Sequence, residues 1–196
     1  MHVDTLFSVG IMSHDVPEEI ANKVEKTFLE KEHQLPNTGS QYGDFALPQR
    51  VLDLQHDTPE LFEEILKVKD AYSDCTGLEV SPGLMEFWTQ DYKDEGNKHG
   101  RHCHGIHGIS GVYWIRANEN AQELIFHNPN NLVDYSKHYK DTPWSWNSFG
   151  YKPKKGLMLF FPSYLEHEVQ ESPPNTVRTT IAFNFPYVPG FNPENK

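Results

Sequence analysis

Only two cysteines, Cys75 and Cys103, occur in the 196 residues. One disulfide is arithmetically possible, but two cysteines do not make the disulfide framework of a small secreted domain. No apolar run approaches the roughly 18–20 residues that a membrane-spanning helix needs. The opening stretch, MHVDTLFSVGIMSHD, carries Asp4 and lacks a basic start followed by a clean apolar run, so no signal peptide is expected there. Basic residues are also scarce. Lys and Arg number 17 against 28 Asp and Glu, a formal charge of -11. A net negative surface repels phosphate backbones and anionic lipid, which weighs against nucleic acid or a membrane as partner. A cytoplasmic location is the expectation. No internal repeat is visible.

What is present is a globular composition, 37% hydrophobic and 13% aromatic, in a chain of single-domain length. The expected layout is one domain over 1–196, with a helical buttress in 1–83, a β core in 84–187 and a tail in 188–196. Helices are predicted near 16–33 and 59–75. The first opens with Asp15 and has Glu18 three residues on, the spacing of a capping box, and Ile20, Val24 and Phe28 recur at helical spacing. The second has Thr58 as N-cap, Pro59 at the first helical position, an apolar face through Leu61, Ile65, Val68 and Tyr72, and Gly77 to end it. From residue 84 the period changes to two. LMEFWTQDY, GISGVYWIRA, ELIFHN, GLMLFFPS, HEVQES and VRTTIAFNFPYV read as short strands between Gly, Pro, Asn and Asp clusters. Helices followed by many short strands predict an antiparallel sandwich or jelly roll with helices packed outside it. The stretch 128–155 reads as the one long irregular connection, either a lid over a pocket or plain surface packing of its aromatics, Trp144 and Trp146.

HGRHCHGIH, residues 99–107, puts four histidines into nine positions. In an extended chain residues i and i+2 share a face. His102 and His104 therefore point the same way, with Cys103 opposite, and make half of a metal site. His167, 63 residues beyond His104 and just after an apolar strand and a Pro-containing turn, is the best third ligand. His99 and His107 lie off the register of the pair and read as solvated or supporting residues. His127 and His138 show no pattern. Eleven residues after His167, Arg178 shares a strand face with Thr180 and Ala182. An arginine directed into a barrel needs an anion, and a guanidinium grips a carboxylate through two parallel hydrogen bonds, with Thr180 placed to add a third. On an exposed edge strand the same arginine would only make a surface ion pair.

HGRHCHGIHGISGVYWI, GLMLFFPSYLEHEV and VRTTIAFNF, in that order and preceded by EFWTQDY, resemble an H-x-H family of 2-oxoglutarate/Fe(II)-dependent oxygenases found in bacteria and in tailed phages of marine bacteria. The resemblance covers about residues 84–186. It implies a double-stranded β-helix, the cupin-like jelly-roll barrel. It implies Fe(II) held by His102, His104 and His167, with 2-oxoglutarate as cosubstrate on Arg178 and Thr180. It implies hydroxylation of an unidentified substrate, a small molecule or a protein side chain, with decarboxylation of 2-oxoglutarate to succinate. The wider superfamily has a carboxylate where this chain has His104. Three readings follow: a three-His centre, a carboxylate from elsewhere such as Asp91 or Asp94, or metal binding without turnover. The alternative function is a three-His cupin-type metalloprotein that does not use 2-oxoglutarate, either a dioxygenase or a small-molecule binding protein. Tyr113 falls on the parity opposite to the histidine pair and faces away unless a bulge turns it in; Trp88, Gln90 and Tyr92 are expected to line the pocket.

Overall fold

A computed structural model describes residues 8–34, 49–50, 52–105, 108–130, 140, 142 and 145–190, with the backbone alone for 49–50. In chain order the elements are β1 (Met12–Asp15), α1 (Glu18–Lys31), β2 (Gln49–Arg50), α2 (Leu54–Asp57), α3 (Pro59–Thr76), β3 (Glu86–Tyr92), β4 (His99–His102), β5 (Gly108–Ala117), β6 (Leu124–His127), β7 (Ser148–Tyr151), β8 (Leu157–Pro162), β9 (His167–Val169) and β10 (Arg178–Pro186). Six strands form a large sheet in the order β1-β8-β5-β10-β3-β2, and four form a small one, β4-β9-β6-β7. Every pairing is antiparallel. The two sheets with helices outside the larger one are the expected jelly roll.

The large sheet is covered on both faces, which is why the first eight residues of β5 are all buried. Its side chains still alternate by two. Ile109, Tyr113 and Ile115 join Met158, Phe160, Ile181, Phe183 and Phe185 in one core with Val24 and Phe28 of α1 and Leu61, Ile65, Val68 and Tyr72 of α3. Val112, Trp114, Leu159 and Phe161 point the other way and pack with Tyr92 and with Leu124, Phe126 and Val169 of the small sheet. The first core fastens the helices; the second fills the space between sheets. Full burial of each such side chain contributes about 1.5–3 kcal/mol. Tyr113 thus faces the helices, as unbroken parity requires.

The helices lie where the apolar spacing put them, with different ends. α3 begins after Thr58 with Pro59 in its first turn and ends on Gly77, whose φ of 71° is the left-handed cap that glycine accepts without strain. α1 has Pro17 as its N-cap and no side-chain cap. The expected Asp15–Glu18 capping box does not form, because Asp15 is the last residue of β1, opposite Leu157, and its carboxylate receives Lys154. β1 and β2 were not foreseen in a segment read as helical only, nor was β7 inside the stretch read as irregular. Trp144 and the middle of that stretch lie outside the described residues, as do His107 and His138. No described helix is long and apolar enough to cross a membrane.

Candidate metal and cosubstrate site

β4 ends at His102, and the chain is held in place one turn later by the His104 amide donating to the Ser163 carbonyl at 2.8 Å. β4 pairs with β9 so that His102 lies opposite His167. These two constraints bring His102, His104 and His167 together, with one ring nitrogen from each inside a common span of 4.8 Å. Cys103 is exposed between them, and both cysteines are free.

The hydrogen bonds fix which nitrogens face inward. His102 Nδ1 lies 2.7 Å from the Gly100 carbonyl, and His167 Nδ1 2.8 Å from the Leu165 carbonyl. A carbonyl only accepts, so both Nδ1 atoms carry the proton and both Nε2 atoms carry a lone pair. His104 Nδ1 lies 2.6 Å from Asn184 Oδ1, which sets the same tautomer. The 3.1 Å between Nε2 of His102 and Nε2 of His104 is therefore a meeting of two lone pairs rather than a hydrogen bond. Metal–imidazole bonds of about 2.1 Å at right angles place their nitrogens about 3.0 Å apart. The donor set fits a divalent transition metal. Burial keeps the rings neutral: it pulls His104 down to about 4, lowers His102, and drives His167 well below the usual histidine range, with the neighbouring imidazoles adding to it. Neutral imidazole is the ligating form.

The other half of the site comes from two neighbouring strands of the large sheet. Arg178, Thr180 and Ala182 of β10 stand opposite Tyr92, Gln90 and Trp88 of β3, and all six line one cavity with the three histidines, of about 390 Å³ counted out to its mouth. Arg178 is 1% exposed. Its guanidinium lies over the rings of Tyr92 at 4.4 Å and Trp114 at 5.8 Å. Among the described residues no carboxylate is within 4.0 Å of it, and its Nε and the Thr180 hydroxyl, both buried, have no hydrogen-bond partner. Burial lowers the Arg178 pKa, and Tyr92 opposes that fall. A buried cation with unused donors beside an unused hydroxyl fits a carboxylate guest. Phe161, Val112, Leu124 and Val169 make the apolar wall.

Two residues sit differently from their sequence reading. His99 lines the cavity, its ring stacked on His102 at 3.9 Å, and burial lowers its pKa to about 3. The β4–β9 register shifts between His99 and His102, so the two share a side despite being three apart. Asp91 faces the helices, accepting from Thr179 Oγ1 at 2.6 Å with Lys93 at 2.8 Å and Arg116 at 3.5 Å. Asp94 is exposed. Neither belongs to the group of residues that could hold a metal. His127 sits 3.5 Å from Glu168.

Solved structures share this architecture at low sequence identity. A Pseudomonas putida prolyl-4-hydroxylase is 12% identical, with 93% of this chain and 95% of that one covered, at a TM-score of 0.66. A prolyl hydroxylase from Trichoplax adhaerens, solved with a hypoxia inducible factor oxygen degradation domain peptide fragment, is 13% identical over 91% of this chain and 83% of its own, at 0.65. EctD from S. alaskensis, solved with 2-oxoglutarate and 5-hydroxyectoine, is 10% identical over 92% and 73%, at 0.63. No curated protein matches the chain in sequence. The family described as "Putative 2OG-Fe(II) oxygenase" matches residues 86–184, more than half of the chain, a span that includes His102, His104, His167 and Arg178. The protein belongs to this family of 2-oxoglutarate/iron(II)-dependent oxygenases.

Proposed function

We propose that the protein is a dioxygenase that hydroxylates a substrate while 2-oxoglutarate is decarboxylated to succinate, with residues 1–196 working as one domain. The carrying observation is a single cavity that joins three converging imidazole lone pairs to a buried guanidinium with no ion-pair partner among the described residues. His102, His104 and His167 would hold Fe(II), and Arg178 with Thr180 would receive a carboxylate of 2-oxoglutarate. When bound, iron and cosubstrate supply the oxidation: dioxygen and 2-oxoglutarate are consumed, one oxygen atom enters the substrate, and the other leaves in succinate alongside carbon dioxide. The chain's own part is binding, orientation and exclusion of water. Neutral, tautomer-fixed imidazoles need shed no proton to take the metal. Phe161, Leu124 and Val169 keep the site dry, and Trp88, Gln90 and His99 line its remaining wall. The two free, exposed cysteines suit a reducing compartment, in keeping with action in the cytoplasm.

The test is titration of the anaerobic, Fe(II)-loaded protein with 2-oxoglutarate, read as a weak visible charge-transfer band, followed by admission of air and measurement of succinate. Band and succinate together are the expected result. A protein that takes up Fe(II) but shows no 2-oxoglutarate binding at millimolar concentration would be a three-His cupin-type metalloprotein instead.

A further inference from the structure

The three donors are neutral imidazoles, so they bring no negative charge to a divalent cation. Two of them are braced by main-chain carbonyls, and the third is not. His104 Nδ1 meets Asn184 Oδ1 at 2.6 Å, with Ser110 Oγ at 3.2 Å. Ser110 Oγ also donates to Asn184 Oδ1 at 2.8 Å and lies 2.8 Å from Ser163 Oγ. On its far side Asn184 Nδ2 donates to Glu86 Oε2 at 3.4 Å. Strand register makes this arrangement: Asn184 of β10 stands opposite Glu86 of β3 on one side and Ser110 of β5 on the other. Ser110 is 0% exposed and Ser163 2%. The amide cannot be reversed without turning its NH₂ on the Nδ1–H of His104 and its oxygen on a carboxylate.

We infer that Asn184 is the positioning residue of His104, holding it as the Nδ1–H tautomer, and that Glu86 acts through Asn184 to enrich the electron density of this one ligand. The inference rests on the reading of His102, His104 and His167 as the metal site. Carboxylate-backed histidines are stronger donors than bare ones, and loss of such a partner typically costs 10–100-fold in metal affinity. Here the amide stands between carboxylate and imidazole, so the Glu86 charge is transmitted by polarisation of two hydrogen bonds in series. Among the described residues His104 alone of the three has a side-chain brace; His102 and His167 rest on the Gly100 and Leu165 carbonyls.

Two measurements test this. Calorimetric Ni(II) titration should show about tenfold weaker binding in Asn184→Leu, which keeps the bulk and removes the acceptor. The exchange pair Asn184→Asp with Glu86→Gln keeps the net charge and moves the carboxylate against the ring, so it should bind Ni(II) several-fold tighter than the parent. A purely structural role for Asn184 predicts weaker binding in both, and that outcome, or no change in either, overturns the inference. The second measurement needs no metal: long-range ¹H–¹⁵N NMR of the histidine rings, with His104→Gln for assignment. The parent should show His104 as the Nδ1–H tautomer, and Asn184→Leu with Ser110→Ala, which removes both acceptors, should lose that preference. An Nε2–H tautomer in the parent overturns the inference whatever the metal result. Absence of Ni(II) binding by the parent, with the NMR result as expected, instead overturns the metal-site reading.

Discussion

Arg178→Met should make the cosubstrate-free protein more stable and at the same time cut its response to 2-oxoglutarate by half or more. Arg178 is 1% exposed, and no described carboxylate lies within ion-pair range. A charge removed from water in this way costs several kcal/mol even after relaxation of its surroundings. The Tyr92 ring at 4.4 Å and the Trp114 ring at 5.8 Å offset about 2 kcal/mol of that. Methionine fills most of the same volume with an unbranched apolar chain and has no charge to desolvate. The net expectation is a gain of about 1–3 kcal/mol, and at roughly 2–4 °C per kcal/mol for a chain of this size the Tm rises by about 2–12 °C. In the parent loaded with Ni(II) in place of iron, 2-oxoglutarate at about 100 times its Kd should add about 2.7 kcal/mol by mass action. In the variant that increment should shrink to about 0.3–1.4 kcal/mol, because a guanidinium–carboxylate contact is worth about 1.5–3 kcal/mol, or 10- to 150-fold in affinity. Differential scanning calorimetry with and without the cosubstrate reads both effects. A variant whose Tm falls while 2-oxoglutarate still raises it as much as in the parent would refute the reasoning, since Arg178 would then be an ordinary part of the core.

Other expectations follow from the same geometry. His167→Ala removes one of three donors and should weaken Ni(II) or Co(II) binding at least 100-fold by calorimetry; equal affinity would refute its place in the site. In the metal-free protein, burial holds His104 near 4 and His99 near 3 and lowers His102 and His167, whereas unfolded histidine titrates near 6.5. The unfolded chain takes up protons first, so stability is intact above about pH 6.5 and declines as pH falls toward 4; Tm measured against pH should slope over that window, and His99→Gln should flatten it. Gly111→Ala would place a Cβ 2.1 Å from the Phe183 ring and 2.7 Å from the Leu159 carbonyl, so urea unfolding should show a loss of about 1–3 kcal/mol, and an unchanged midpoint would contradict the packing.

Period-two alternation makes much of the candidate site legible in the sequence. Arg178 and Thr180 share a face because β10 is an unbroken strand there, and that face lies between the sheets because Ile181 and Phe183 on the other are packed with the helices. The same logic failed where the chain leaves regular register. His99 is three residues from His102, and only the irregularity in β4 turns both rings into the cavity. Asp15 has the local signature of a helix cap, yet pairing with β8 takes its backbone into the sheet, so tertiary contact overrides local preference. β4 (HGRH) and β7 (SFGY) each carry a glycine in four residues and no run of β-branched or aliphatic side chains, so they lack the apolar signal that marks β6.

Asn184 shows the limit most clearly. Nothing within several residues of it marks it as different from the Asn of any strand end. Its meaning comes from three strands meeting at one rung, Glu86 on β3, Asn184 on β10 and Ser110 on β5, with a loop histidine folded over them. Ligand identity is a property of side-chain chemistry and is written in residue type and spacing. The groups that orient a ligand are a property of register between strands far apart in the chain, and register is fixed only when the whole sheet has closed. A sequence therefore announces what could bind a metal sooner than it announces how tightly. In this protein the difference between those two questions rests on one amide, 98 residues from the carboxylate behind it.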